Sequence, residues 1–154
     1  MMQRTRSYIF FPAISLLAGG AAAFACRDSF SVYQTLQKPF FAPPTWIFPV
    51  VWTILYVLMG IGAARVSQTF SQEKENGILL FAAQLIINFF WPILFFVLQS
   101  YAFACIWLCL LLVMIAAMTI EFHKADRTAA LLQIPYFLWS LFALALNIGV
   151  AMLN

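Results

Sequence analysis

The side chains here that could do chemistry are indoles, phenols and amides rather than acids and bases. Trp52 and Tyr56 stand four residues apart, Gln84, Asn88, Trp91 and Phe95 follow at steps of four, three and four, and Leu132, Tyr136, Trp139, Ala143 and Asn147 repeat that spacing. On helices, each set falls on one face. Flat apolar rings with a few orienting amides favour a large planar aromatic ligand, because stacking on indole selects for shape in a way that an aliphatic pocket cannot. A tetrapyrrole fits that description. Ala143, one turn beyond Trp139, leaves a recess beside the indole. Pro92 has no N–H for the Asn88 carbonyl, which turns the Asn88 region into a polar notch bordered by Trp91. The same amides would also serve as hydrogen-bonding links between helices.

Other chemistries find no residues. The single histidine, His123, lies in a charged linker, so a hydrolytic triad and a two-histidine haem site are excluded. No acid or base stands within an apolar stretch, which argues against ion-driven transport. Phosphate loops and dinucleotide fingerprints are absent. Cys26, Cys105 and Cys109 lack histidine or acid partners, so neither a metal site nor a disulfide framework is expected, and no cofactor is implied. The net charge of +3 includes no long basic block, which removes nucleic acid as a partner.

With 65% hydrophobic and 8% charged residues, the chain has the composition of a membrane protein. Five uncharged stretches, 8–26, 46–64, 77–98, 101–120 and 128–153, are each long enough to cross about 30 Å of hydrocarbon as a helix. Their unbroken apolar character excludes the alternation of a barrel. The expected fold is therefore an all-α bundle of five transmembrane helices forming one domain, in contact with membrane lipid. Arg4, Arg6, Arg65, Lys74, Lys124 and Arg127 lie on the N-terminal side, against Arg27 and Lys38 on the other. In a bacterial inner membrane that asymmetry puts the N-terminus in the cytoplasm and the C-terminus outside. The first stretch is longer than a signal-peptide core and is expected to be retained, its run of Gly and Ala serving helix packing.

Residues 27–45 form a long connection, of the kind that acts as a lid or binding loop. Pro39, Pro43 and Pro44 deny backbone donors and keep Lys38 to Ala42 out of a helix, while Pro43 and Pro44 suit the opening turn of the next span. Phe41 adds a ring to this strap. Lys38 and Arg27 are placed to meet acidic tails of a ligand at the mouth. Pro135 removes the donor for the Leu131 carbonyl and is expected to bend the fifth span.

These blocks together resemble the translocator protein and tryptophan-rich sensory protein family, TspO/MBR. The resemblance rests on Lys38-Pro39 with Pro43-Pro44, Val51-Trp52 with Leu55-Tyr56, Asn88-Phe89-Phe90-Trp91 with Phe95-Phe96, and Pro135-Tyr136-Phe137-Leu138-Trp139 with Phe142-Ala143 and Leu146-Asn147. It implies a five-helix bundle, often a homodimer, that binds porphyrins such as protoporphyrin IX beneath the first loop. The family's ligand-contacting tryptophans match Trp52 and Trp139, its pocket asparagine Asn88, and its small pocket residue Ala143. It also implies an alternative activity, light- and oxygen-dependent protoporphyrin breakdown, with Trp52 and Trp139 as candidate catalytic residues; porphyrin or lipid transport stands as a further alternative reading. Phe41 stands where many members carry Trp, which counts against chemistry needing that indole. The C-terminus lacks the Tyr and basic residue of the animal members' proposed cholesterol motif, so steroid recognition is not implied.

Overall fold

The structure is a computed structural model that describes residues 2–154, with side chains from residue 5 onward. Among the described residues there is no strand. Five helical segments among these residues are long and apolar enough to cross a membrane. The first is α1 (Met2–Cys26); the second is α3 (Ile47–Ser67), reached through a short α2 (Val32–Thr35). Then come α4 (Glu73–Pro92), which runs into a π-helical turn at Ile93–Val97, and α5 (Tyr101–Ala125). The last span is divided into α6 (Arg127–Leu131) and α7 (Ile134–Leu153).

These segments reach beyond the uncharged stretches at the N-terminal-side face. α1 begins before Tyr8, α3 continues to Ser67, α4 starts at Glu73, and α5 extends to Ala125. The charge-free runs mark only the hydrocarbon-facing part, and Arg, Lys and Glu are good helix formers that carry each helix on into the interface. Pro43 and Pro44, expected in the opening turn of the second span, instead precede it. The helix begins at Ile47 after a turn in which Ile47 N–H donates to the Pro44 carbonyl, and Pro49 occupies its first turn.

The spans close into a ring: α1 packs on α3 and α4, α4 on α5, α5 on α7, and α6 with α7 on α3. Lipid is as apolar as leucine, so van der Waals fit and hydrogen bonds hold such a bundle, not the removal of apolar surface from water. Gly60 illustrates the fit, because a Cβ there would run into the Pro12 backbone of α1. Trp107 of α5 donates its indole N–H to the Ile87 carbonyl of α4 at 2.7 Å. Towards the N-terminal side, Met59, Ala63, Val66, Ile115, Met118 and Phe122 are fully buried and the bundle is solid.

Two helix interruptions matter for the site. After Pro92 the ladder widens: Leu98 N–H reaches the Ile93 carbonyl at 2.9 Å and Ser100 N–H the Leu94 carbonyl at 3.0 Å. Gln99 then takes a positive φ of 50° to reverse the chain into α5. At Leu132–Gln133 the last span stops and restarts, a wider break than the bend expected at Pro135. The buried Gln133 amide donates to the Ala129 carbonyl at 3.1 Å, the acceptor its own backbone N–H would have used in a continuous helix. At the same face Asp126 caps α6 by accepting from Ala129 N–H at 2.8 Å. It also takes a two-pronged contact from Arg65, with N–O distances of 3.2 and 2.8 Å.

Candidate ligand cavity

The connection between α1 and α3 folds over the far end of the bundle as a structured lid. Its α2 turn is held by Lys38, whose Nζ donates to the Tyr33 carbonyl at 2.9 Å and lies 4.8 Å from the Tyr33 ring centre. Asn154 clamps the preceding residue, Gln37, from both sides, accepting from its N–H at 3.1 Å and donating to its carbonyl at 2.8 Å. Pro39 rests on Gly149 of α7, where a Cβ would approach its ring to 2.9 Å. The strap then turns at Phe40–Phe41, closed by Ala42 N–H on the Pro39 carbonyl at 3.0 Å. Phe41 reaches Phe142 at 6.2 Å, whereas Phe40 is fully exposed. The prolines thus shape a turn docked on α7.

Beneath the lid lies a cavity of about 580 Å³. Its aromatic wall comes from α3, α4 and the π-helical turn, through Trp52, Tyr56, Trp91 and Phe96. Small residues of α1, Gly19, Ala22 and Ala23, complete the lining, with Gly19 packed on the Tyr56 ring, and Tyr33 with Gln34 form the roof. Trp52 stands 6.3 Å from Trp91 and 5.7 Å from Tyr56, tilted by 35° and 32° respectively. The three rings make a stepped aromatic floor. Among the described residues no charged side chain lines it. Arg27 is paired with Asp28 at 3.5 Å and lies over the Phe24 ring, so neither it nor Lys38 stands at the lining.

Asn88 is the amide on this wall, and behind it runs a buried chain of hydrogen bonds. Asn88 Nδ2 donates to Tyr136 Oη at 2.9 Å, Tyr136 Oη donates to Gln84 Oε1 at 2.7 Å, and Gln84 Nε2 meets Met59 Sδ at 3.6 Å. Tyr136 is therefore a fully buried support behind Asn88 and Trp52, not a lining residue. Trp91 donates its indole N–H to Asn147 Oδ1 at 3.2 Å, and Asn147 Nδ2 donates to the Tyr101 carbonyl at 2.9 Å. Both ends of that amide are occupied.

The fifth span thus meets the cavity only indirectly. Ala143 and Asn147 border a separate void of about 20 Å³, walled off from the large cavity by Tyr33, Phe48, Trp52, Trp91 and Phe96. Trp139 lies behind Phe48, 6.1 Å between centroids, and 5.2 Å from Phe142, with its buried N–H unpartnered. Of the aromatic and amide positions singled out in the sequence, the cavity gathers Trp52, Tyr56, Asn88 and Trp91. Tyr136, Trp139, Ala143 and Asn147 form a second layer. Sequence reasoning missed the α1 wall, although its run of small residues is the visible signal, and it missed Tyr33, for which the sequence offers none.

A family model described as TspO/MBR matches residues 9–153. The tryptophan-rich protein TspO of Chlorobaculum tepidum is 40% identical over 86% of this chain and 85% of its own length. Protein CrtK of Rhodobacter capsulatus is 35% identical over 99% and 95%, and the translocator protein of Bos taurus 36% over 82% and 76%. Five membrane-crossing helices and a match that runs through all of them make this an integral, multi-pass membrane protein belonging to the TspO/MBR family.

Proposed function

We propose that the chain is a membrane receptor or sensor for porphyrins, protoporphyrin IX and similar planar aromatic molecules, serving tetrapyrrole or stress regulation. The observation that carries this reading is the cavity of about 580 Å³ with Trp52, Tyr56 and Trp91 on one wall and a single amide, Asn88, among them. Its volume lies within the roughly 300–1,000 Å³ of small-molecule sites. Rings of α3 and α4 with Ala22 and Ala23 of α1 line the space, which suits a flat ligand better than a branched one. Trp139, Ala143 and Asn147 act in this reading as the layer that holds the wall in place. Basic residues concentrate at the face where Arg65 meets Asp126, so that face is cytoplasmic in a bacterial inner membrane and the lid faces outward.

The test is quenching of tryptophan fluorescence by protoporphyrin in detergent or nanodiscs. Saturable quenching in the native chain, lost when Ala23→Phe fills the space from its exposed rim, is the expected result. Quenching that never saturates, or that is untouched by Ala23→Phe, would overturn the assignment of this cavity.

A further inference from the structure

We propose that the cavity reads a hydrogen-bond donor on its ligand, and that Met59 and Gln84, which do not line it, impose this preference as positioning residues. This rests on the reading of the cavity as a ligand site, though not on the ligand being a porphyrin. A thioether sulfur can only accept, so Gln84 turns its NH₂ towards Met59 Sδ and its carbonyl towards Tyr136. Tyr136 gives its one proton to that carbonyl, so its oxygen is left to accept from Asn88 Nδ2. Asn88 is thereby fixed with its NH₂ turned away into the bundle. Its Oδ1 has no hydrogen-bond partner among the described residues, while the residue itself lines the cavity. Pro92 adds to the surplus of acceptors, since it has no N–H for the Asn88 backbone carbonyl.

An acceptor that opens into a cavity lined by rings is better matched by a ligand N–H or O–H, which completes its hydrogen bond, than by an apolar edge. A ligand presenting only a carbonyl there sets oxygen against oxygen. Asn147 supplies the internal contrast, because Trp91 and the Tyr101 carbonyl already use its oxygen and its NH₂.

Carbazole and fluorenone are planar tricycles of similar shape, the first with an N–H donor and the second with a C=O acceptor. Isothermal titration calorimetry on the intact protein should give carbazole an advantage of about five- to tenfold, the size of one neutral hydrogen bond. Gln84→Leu removes the acceptor of the Tyr136 proton. That proton then goes to Asn88 Oδ1, the amide turns over, and the preference should invert towards fluorenone. Tyr136→Phe frees the amide to turn either way and should bring the ratio near one. Met59→Leu, close in size and therefore the safest for folding, should shift the ratio the same way by less.

A native ratio within twofold overturns the proposal. So do variants in which both affinities fall together with the ratio unchanged, as a merely structural role would produce. Protoporphyrin binding without binding of either tricycle also defeats it. Carbazole preference without protoporphyrin binding upholds it and defeats the porphyrin reading instead.

Discussion

The wall built by α3 and α4 and the face of α7 behind it carry the same residue types to different ends. Each offers an indole and an asparagine at helical spacing. On the first, Trp52 lines the cavity and Asn88 keeps its oxygen unpartnered. On the second, Trp139 is packed between Phe48 and Phe142, and Asn147 ties α4, α5 and α7 together through Trp91 and the Tyr101 carbonyl. The difference lies in what faces each residue across the bundle. Ala22 and Ala23 of α1 border open space on the cavity side, with Gly19 packed on the Tyr56 ring, whereas Phe48 and the docked lid fill the space in front of α7. Residue type alone therefore does not make a binding residue; the volume of its neighbours decides.

The sharpest way to break this contrast is to remove the two amides separately. Asn147→Leu leaves a buried indole N–H and a carbonyl without partners, and should cost about 3 kcal/mol in unfolding free energy, measured by denaturant titration in micelles. Asn88→Leu strands only a lone pair of Tyr136 and should cost about 1 kcal/mol while abolishing the carbazole preference. Equal losses from the two would erase the distinction between wall and support.

The indoles give the next effect. Trp52→Ala should weaken protoporphyrin binding about tenfold, near 1.4 kcal/mol, through lost stacking. Trp139→Ala should instead lower stability by about 2 kcal/mol, less than a fully buried indole, and change affinity less than threefold.

A comparison of the two membrane faces is sharpened by acid. Burial pushes the Asp126 carboxyl upward, but the hydrogen bonds from Arg65 and the Ala129 N–H outweigh it and hold the pKa below the ordinary carboxylate value. The unfolded carboxylate titrates near about 3.9, so the stabilisation is complete above that pH and is lost as pH falls through the lower folded value. Thermal melts between about pH 5 and 2 should show this loss, and Asp126→Asn should flatten it. Smallest is Gln99→Gly, which removes the strain of a positive φ and should stabilise by about 0.5 kcal/mol in the same assay.

The spans were legible because lipid demands long uncharged helices, and each such stretch is plain in the composition. So were the polar faces: Trp52 with Tyr56 and Asn88 with Trp91 come together as helical spacing requires. Helical spacing, however, gives a direction and not a depth. It placed Tyr136 and Trp139 on the same inward face as a lining residue, and only the bulk of Phe48 and Trp52 in front of them sets them back a layer. The lid was legible as a proline-rich connection, but its anchors, Asn154 on Gln37 and Gly149 under Pro39, lie more than a hundred residues further along and leave no local pattern. The break at Gln133 was hidden for a similar reason, since a side-chain amide replaces a backbone donor there.

The central claim is that a flat ligand stacks on the α3 and α4 wall and not on α7. Dissociation constants for protoporphyrin measured side by side on Trp52→Phe and Trp139→Phe address it most directly. The account predicts a several-fold weakening for Trp52→Phe and a value within twofold of the native chain for Trp139→Phe. Weakening confined to Trp139→Phe, with Trp52→Phe unchanged, would contradict it.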